Sequence, residues 1–389
     1  MIARFFILFI LIVVLPDFYI DYRFLRPRRQ ISIGKRLLWW LPCLVMMVIT
    51  CWMAGLQDFI PADYRILEIY MGLLGIFVIP KILFVICSFI GWGFARFKAQ
   101  SALRIGEYVG IALASIVALA YIYGFTLGFN RVEVRHMDLA FGDLPEEFDG
   151  FRLVQVSDLH VGTYGGWRRA VLHDAIDSIC AQQPDLICFT GDLQNIRPDE
   201  VESVRQELTR LPNVVSVLGN HDYSDYAGGT SEERRSREER MKRIQQEDLD
   251  WVLLNNAHVN LSDSVSGVRL YIVGTENDGL PPFPSKADYQ KAIKGIPAGA
   301  FTIMLQHDPS AWRRHVLPQT KAQLTLSGHT HGGQLNLFGW RPTKMKYDED
   351  YGLYEQDGRY LYVSGGVGGI VPFRLGIPGA ITVITLHKK

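Results

Sequence analysis

The segment Phe151-Arg152-Leu153-Val154-Gln155-Val156-Ser157-Asp158-Leu159-His160 decides the fold class, because a short apolar run ends directly in a turn that carries an aspartate and a histidine. Such a run, bounded by turn residues, is typical of a buried β-strand. Four later runs have the same form, and they are 185–189 before Gly191-Asp192, 214–218 before Gly219-Asn220-His221-Asp222, 301–305 before Gln306-His307-Asp308-Pro309, and 323–326 before Ser327-Gly328-His329-Thr330-His331. Residues 167–181 are predicted to form an amphipathic helix. The pattern predicts an α/β domain with polar side chains at the carboxyl ends of its strands, where such sheets bind ligands.

A single Asp or His after a strand is more often a turn or capping residue than a ligand. Five such turns in one domain instead favour a metal site assembled from distant loops. In Asp158-Leu159-His160 and His329-Thr330-His331, residues two apart would project to the same side of an extended chain. Each pair could bind one metal ion or divide its ligands between two. The donors are nitrogen and oxygen without thiolate, which leaves Mn²⁺, Fe, Zn²⁺ and Mg²⁺ open and excludes a soft-metal site.

The five turns read VSDLH, GDLQN, GNHD, QHDP and SGHTHGGQ, and in this order they resemble the calcineurin-like metallophosphoesterase family over roughly residues 132–386. The GHTHGGQ ending and the apolar N-terminal region resemble the membrane-anchored YkuE- and YaeI-like branch, which is related to UDP-2,3-diacylglucosamine hydrolases. The resemblance implies a four-layer α/β/β/α sandwich of two mixed sheets. Departures are slight: Asn195 stands where Asp is common, and Gln306 and Asp308 flank His307 where Ser or Ala and Asn are common.

The resemblance also implies a centre of two divalent metal ions, with Mn²⁺ preferred. It would place one ion on Asp158, His160, Asp192 and His331, and the other on Asp192, Asn220, His307 and His329. Asp192 would bridge the ions, because a carboxylate has two oxygens. His221 would protonate the leaving oxygen, a task that suits an imidazole. Asp222 would orient His221 or, equally well, only shape the turn.

A glycine-rich turn, Gly365-Gly366-Val367-Gly368-Gly369, follows a strand predicted over 360–363. No Gly-Lys-Ser/Thr follows it, which excludes a P-loop. The turn is either a tight connection between sheets or a close approach to the phosphate, and in the second case Arg374 would contact the substrate phosphate. The mixed-charge run 232–243 predicts a solvated helix, with a basic lid as the alternative. The apolar segment 280–284 predicts a surface loop, with contact to a membrane or an acyl chain as the alternative.

The first 128 residues differ chemically from the rest of the chain. They contain 12 Lys and Arg against 6 Asp and Glu, although the whole chain has 40 of each. Predicted membrane spans, each close to the roughly 20 residues that cross a bilayer, are at about 2–20, 37–56, 69–94 and 108–129. The first is the shortest and lacks the cleavage site of a signal peptide. We therefore expect an anchor of about four spans over residues 1–128 and a metallophosphoesterase domain over 129–389.

Basic residues of the anchor lie in alternate loops. Six follow the first span and three follow the third, whereas the loop after the second span has only Arg65. Because basic loops stay cytoplasmic, the domain after residue 129 is predicted to be extracytoplasmic, at a bacterial inner membrane. Lys81 lies within the third span, where an ionisable residue is either functional or paired inside the bundle.

Together these features predict a membrane-anchored, two-metal phosphoesterase that hydrolyses a phosphodiester or pyrophosphate bond, with a lipid or cell-envelope substrate made plausible by the anchor. The alternative is a membrane receptor or transporter component whose metal-binding domain does not turn over substrate. A net charge of zero argues against a protein that coats nucleic acid. The five cysteines form no paired framework, so a disulfide scaffold is not expected.

Overall fold

The computed structural model describes residues 6–28, 30–56, 64–97 and 101–389. The chain divides into two compact units, Met1–Thr126 and Leu127–Lys389. We call them the membrane unit and the catalytic unit.

The membrane unit is helical. Its helices are α1 (Phe6–Ile20), α2 (Ile33–Ala54), α3 (Tyr64–Leu73), α4 (Ile79–Phe97) and α5 (Ser101–Tyr123). Among the described residues, three segments are long and apolar enough to cross a membrane, and they are Ile33–Ala54, Arg65–Arg96 and Ser101–Gly128. They overlap the second to fourth predicted spans. The first predicted span falls on α1 in part, and its residues 2–5 lie outside the described residues, so its crossing stays a prediction.

Lys81 is paired inside the membrane unit. Its Nζ donates to both carboxylate oxygens of Asp17, at 2.8 and 2.9 Å, and lies 5.0 Å from the centroid of the Trp39 ring. Asp17 is buried in α1. A charge in an apolar span is tolerated when an opposite charge neutralises it, so each member of this pair accounts for the other.

The catalytic unit contains two six-stranded sheets. The first has the strand order β1-β12-β2-β3-β4-β5 and the second β10-β11-β9-β8-β7-β6. The strands are β1 (Val132–Phe141), β2 (Arg152–Val156), β3 (Leu186–Phe189), β4 (Val214–Ser216), β5 (Val252–Leu253), β6 (Ala257–Ser262), β7 (Arg269–Gly274), β8 (Thr302–Leu305), β9 (Leu324–Ser327), β10 (Gly352–Gln356), β11 (Arg359–Val363) and β12 (Gly379–Lys388). Both sheets are mixed, since β12 pairs with β1 in parallel and with β2 in antiparallel fashion, and β10 runs antiparallel to β11.

Helices cover the outer faces of both sheets. They are α6 (Arg169–Cys180), α7 (Pro198–Glu202), α8 (Arg205–Leu208), α9 (Ser231–Arg243), α10 (Tyr289–Ala292) and α11 (Leu317–Gln319). Strand β2 shows how one run serves two layers: Leu153 belongs to the core between the sheets, whereas Val154 packs with Ile176 of α6. Both faces are buried, which explains a nearly continuous apolar run. The four-layer α/β/β/α sandwich implied by the resemblance is confirmed.

The strands that precede the five turns lie side by side. In the first sheet β2, β3 and β4 run parallel, and in the second β8 and β9 do so. Gln155 of β2 donates through Nε2 to the Ser327 carbonyl of β9 at 2.8 Å, which joins the two sheets where these strands end. Five turns from distant parts of the sequence therefore open onto one place.

Candidate metal centre

Two clusters of metal-binding side chains form where these strands end. One consists of Asp158, His160 and His331, and the other of Asp192, His307 and His329. Within each cluster the ligand atoms lie within 4.8 Å of one another. The geometry resembles two neighbouring sites rather than one.

Asp192 connects the second cluster to the first. Its Oδ2 is 3.6 Å from His160 Nε2 in the first cluster and 3.2 Å from His307 Nε2 in the second. Asn220 Oδ1 is 3.2 Å from His307 Nε2 and 2.7 Å from His329 Nδ1. The structure thus brings together all seven side chains predicted as ligands, with Asp192 in the position that a bridging ligand needs.

Most of these predicted ligands have a left-handed backbone. The φ angles of Asp158, His160, Asp192, His329 and His331 are 51°, 46°, 58°, 72° and 52°. Non-glycine residues with positive φ are uncommon, and they cluster where surrounding structure fixes a functional geometry. The predicted extended chain at Asp158-Leu159-His160 and His329-Thr330-His331 is therefore wrong. Asp158 and His160 do share a cluster, but they reach it through a coiled turn, and His329 and His331 separate into different clusters.

Backbone carbonyls fix the imidazoles of His160 and His307. His160 Nδ1 is 3.2 Å from the Gln194 carbonyl oxygen, and His307 Nδ1 is 2.7 Å from the Thr190 carbonyl oxygen. A carbonyl only accepts, so each Nδ1 carries a proton, and each Nε2 faces Asp192. Ligating histidines are commonly oriented through their other nitrogen in this way.

Burial and neighbouring charges shift the pKa values of these side chains. It lowers the pKa of His160 to about 3 and that of His329 to about 4, so both are neutral at pH 7. It raises the pKa of Asp158 to about 7. Burial would also lower the pKa of His307, but the Asp192 carboxylate raises it to about 10. A divalent cation favours neutral imidazole and ionised carboxylate, and so would release protons on binding.

The residues fit divalent metal ions. His160 Nε2 is buried without a hydrogen-bond partner among the described residues, and an unsatisfied buried polar atom costs about 1–3 kcal/mol. A cation beside Asp192 would satisfy it. Nitrogen and oxygen donors without sulfur suit the borderline and hard divalent ions.

His221 lies beside the clusters, and its Nδ1 is hydrogen-bonded to the backbone. Its Nδ1 is 2.6 Å from the Asn195 carbonyl oxygen, and its backbone N–H donates to Asp192 Oδ1 at 2.9 Å. The ring lies 4.9 Å from that of His160, centroid to centroid. Since Nδ1 carries its proton toward Asn195, Nε2 is the atom through which His221 can give or accept a proton.

Asp222 does not orient His221. Its Oδ2 accepts from the backbone N–H groups of Asp192 and Gly219, both at 2.9 Å, and its Oδ1 accepts from Leu193 at 3.0 Å and Gln194 at 3.2 Å. The carboxylate therefore ties the GNHD turn to the GDLQN turn. The assignment of Asp222 as a catalytic residue is corrected to a structural one, because both oxygens are engaged by the backbone.

Arg374 is not placed to contact a substrate phosphate. Its side chain is 1% exposed, and its guanidinium donates to backbone carbonyls that include those of Gly365, Gly366 and Gly368, at 2.8, 2.9 and 2.6 Å. It holds the glycine-rich turn in shape. The turn does reach the centre, because a Cβ added to Gly366 would lie 2.7 Å from Asp158 Cβ.

Two family models match the chain. One, described as "Probable Calcineurin-like phosphoesterase, transmembrane domain", matches residues 3–129, and the other, "Calcineurin-like phosphoesterase", matches residues 151–333. The second range includes every predicted ligand and His221. The chain belongs to the calcineurin-like metallophosphoesterase family. It is a membrane protein and a metal-dependent phosphoester hydrolase, and its fold implies a centre of two divalent metal ions.

This metallophosphoesterase has relatives in bacteria and vertebrates. It is 27% identical over 294 residues to the Bacillus subtilis metallophosphoesterase YkuE, covering 73% of this chain and 96% of the relative. It is 26% identical over 333 residues to the Chlamydia muridarum UDP-2,3-diacylglucosamine pyrophosphatase LpxG, covering 70% of this chain and 96% of the relative. A Danio rerio transmembrane protein with a metallophosphoesterase domain is 27% identical over 313 residues, with 75% and 66% of the two chains covered.

Sequence reasoning missed the surroundings of His329 in this metallophosphoesterase. Its Nε2 is 2.9 Å from the Tyr347 hydroxyl and 3.4 Å from Asp308 Oδ2, and the Phe283 ring lies edge-on at 4.6 Å between centroids. Asp308 could have been found from its place beside His307. Tyr347 and Phe283 follow no strand and belong to no motif, so the sequence carried no signal for them.

Proposed function

We propose that this protein is a membrane-anchored, two-metal phosphoesterase that hydrolyses a phosphodiester or pyrophosphate bond in an amphiphilic or cell-envelope substrate. The observation that carries the proposal is the position of Asp192 between two clusters of metal-binding side chains. One ion would be held by Asp158, His160, Asp192 and His331. The other would be held by Asp192, Asn220, His307 and His329. We expect Mn²⁺ in both positions.

Two divalent ions held by these residues would neutralise charge on the phosphoryl oxygens and would lower the pKa of a bound water. The chain's own contribution to proton transfer comes from His221. The Asn195 carbonyl holds its Nδ1 proton, so that a protonated His221 presents Nε2–H to the leaving oxygen. A leaving alkoxide that receives this proton departs more readily, which is general acid catalysis and contributes about 10²–10⁴-fold in rate.

The substrate class is inferred from the anchor and from one relative. The name of the Chlamydia muridarum relative describes a pyrophosphatase that acts on a nucleotide-linked diacyl sugar. Loop charges, however, predict that the catalytic unit is extracytoplasmic at an inner membrane, where nucleotide-linked lipids are not expected. We therefore propose a lipid or envelope phosphoester without committing to the nucleotide.

The test is turnover by the purified full-length protein, reconstituted with defined metals, on a panel of aryl phosphomonoesters, aryl phosphodiesters, pyrophosphates and phospholipids. We expect Mn²⁺ to support hydrolysis of diesters or pyrophosphates and Asp192→Asn to abolish it. Asp357→Asn is the matched control, because Asp357 is an exposed carboxylate that belongs to neither cluster. Failure of the wild type on every substrate with every metal would favour the metal-binding receptor or transporter component.

Sidedness needs a separate measurement. Protease added to sealed, right-side-out vesicles should digest the catalytic unit if it is extracytoplasmic. Complete protection in these vesicles, with digestion after lysis, would place it in the cytoplasm and would restore the nucleotide-linked substrate as the leading candidate.

A further inference from the structure

An exposed apolar surface stands beside the metal centre. We call Leu337, Phe338, Trp340 and Met345 the apolar tip. Phe338 is fully exposed, Met345 is 83% exposed and Trp340 is 50% exposed. Large apolar side chains scattered singly on a surface are ordinary, whereas four exposed ones within residues 337–345 point to an interaction surface.

The backbone of the tip is held in a costly shape. Leu337 and Trp340 exchange backbone hydrogen bonds at 2.9 and 3.0 Å, which closes a two-residue turn. Phe338 and Gly339 in that turn have φ angles of 53° and 91°. Glycine adopts this region freely, whereas a bulky residue there is an outlier. The turn therefore presents an aromatic ring to the outside where Asn or Asp would form it at lower cost.

Hydrogen bonds connect the apolar tip to the loop that carries His329 and His331. Arg341, at its base, donates to both carboxylate oxygens of the buried Asp350, at 2.7 and 2.8 Å. The Asp350 carbonyl accepts from the hydroxyl of Thr330, at 2.5 Å, and Thr330 lies between His329 and His331. Beyond the tip, Tyr347 returns to His329. The segment thus leaves the centre after His331 and comes back to it, so the tip cannot move far without moving the ligands.

Cationic side chains accompany the apolar ones. Lys344 and Lys346 flank Met345, and both are exposed. Lys346 Nζ lies 4.6 Å from the centroid of the Phe283 ring. Trp, Phe, Leu and Met together with Lys are the composition of surfaces that enter the interface of a bilayer, where rings reach the acyl boundary and ammonium groups meet anionic headgroups.

We propose that the apolar tip inserts into the surface of an anionic lipid bilayer and so holds the metal centre at the lipid headgroups. The same chain carries membrane-spanning helices, so a bilayer is always at high effective concentration. Lys344 and Lys346, beside the tip, complement the charge of anionic lipid headgroups. Insertion of the tip would hold the metal centre at the membrane surface whether or not the hydrolysed bond is in a lipid.

The test measures immersion of the tip directly. A spin label is placed at Met345→Cys in a full-length protein whose five native cysteines are alanine, one protein per phosphatidylglycerol nanodisc. Val265→Cys is the matched control, because Val265 is 94% exposed in the turn between β6 and β7 and is not part of the tip. We expect the label at 345 to be reached by oxygen and shielded from a water-soluble nickel chelate, and the label at 265 to show the reverse.

Two further measurements distinguish the contribution of the apolar side chains from that of the lysine charge. Phe338→Ser with Trp340→Ser should return nickel access to the label at 345, while hydrolysis of a soluble phosphoester stays unchanged. Phosphatidylcholine discs should shield the label less than phosphatidylglycerol discs, and Lys344→Gln should remove that difference. Equal nickel access at 345 and 265 would overturn the proposal. Equal shielding in both lipids would contradict the proposal that the tip binds an anionic bilayer surface.

Discussion

Both units bury charged groups, but they satisfy them differently. In the membrane unit, Lys81 and Asp17 satisfy each other with two hydrogen bonds. In the catalytic unit, carboxylates and imidazoles converge on common points, and His160 Nε2 is left without a partner among the described residues. A self-contained pair contributes to structure. A convergent cluster with open donor atoms is suited to an ion from outside.

Removing one half of the self-contained pair should have the largest effect on stability. Asp17→Ala leaves Lys81 charged in an apolar environment, and breaking a buried pair costs about 3–5 kcal/mol. We expect this loss in the free energy of unfolding, measured by titrating detergent micelles with a denaturing surfactant. Asp17→Ala with Lys81→Met should recover most of it. If the single variant unfolds like the wild type, the pair is not what holds these helices together.

His221→Ala should affect the chemistry and spare the metals. The structure holds His221 by its Nδ1 and gives it no ligand role, so we expect kcat to fall about 10²–10³-fold on a substrate with a poor leaving group. A nitrophenolate leaves without a proton and should lose much less. Metal content by mass spectrometry is the control. Equal losses on both substrates, or loss of metal, would contradict the role in proton donation.

Gly219→Ala should perturb the convergent cluster by a steric clash with Asp192. A Cβ at this position would lie 2.2 Å from Asp192 Oδ1, so the carboxylate must move. We expect metal affinity to fall about 10–100-fold, the range seen when groups that orient ligands are changed. Gly142→Ala is the matched control, because nothing lies within 4 Å of its added Cβ. Calorimetric titration of the metal-free protein measures both, and equal affinities would show that Asp192 tolerates displacement.

Asp158→Asn should change the pH dependence of stability in metal-free protein. Burial raises the pKa of Asp158 to about 7, so its charge opposes folding and the wild type should lose stability as pH rises from about 4 to 7. The variant carries no such charge and should lack this contribution while binding metal poorly. Thermal unfolding at several pH values compares the two. A steeper decline in the variant would reverse the sign of our argument.

The sequence alone predicted more of the metal centre than of the residues that position its ligands. Each strand-end turn could be read because a buried run and a polar turn adjoin in the sequence, and the family resemblance then divided the ligands. For Asp222 and Arg374 the sequence left a functional and a structural role open, and only their hydrogen bonds to the backbone favour the structural one. Left-handed turns at the ligands were also missed. Asn and Gly commonly signal such turns, but His does not.

In the membrane unit the sequence located Lys81 and could not identify its partner. Asp17 is 64 positions away, and no periodicity connects the two. The apolar tip was not predicted either, because the sequence of a short apolar segment does not show whether its side chains face the core or the solvent. Only the fold shows that these side chains are turned outward.

Strand β12 sets the order in which the enzyme can be completed during biosynthesis. It is the central neighbour of both β1 and β2, yet it is encoded after every other strand described. Until residues 379–388 leave the ribosome, β1 and β2 have open edges, and the glycine-rich turn beside Asp158 lacks the strand that follows it. The anchor can therefore enter the membrane long before the hydrolase can become active, which separates insertion from activity in time.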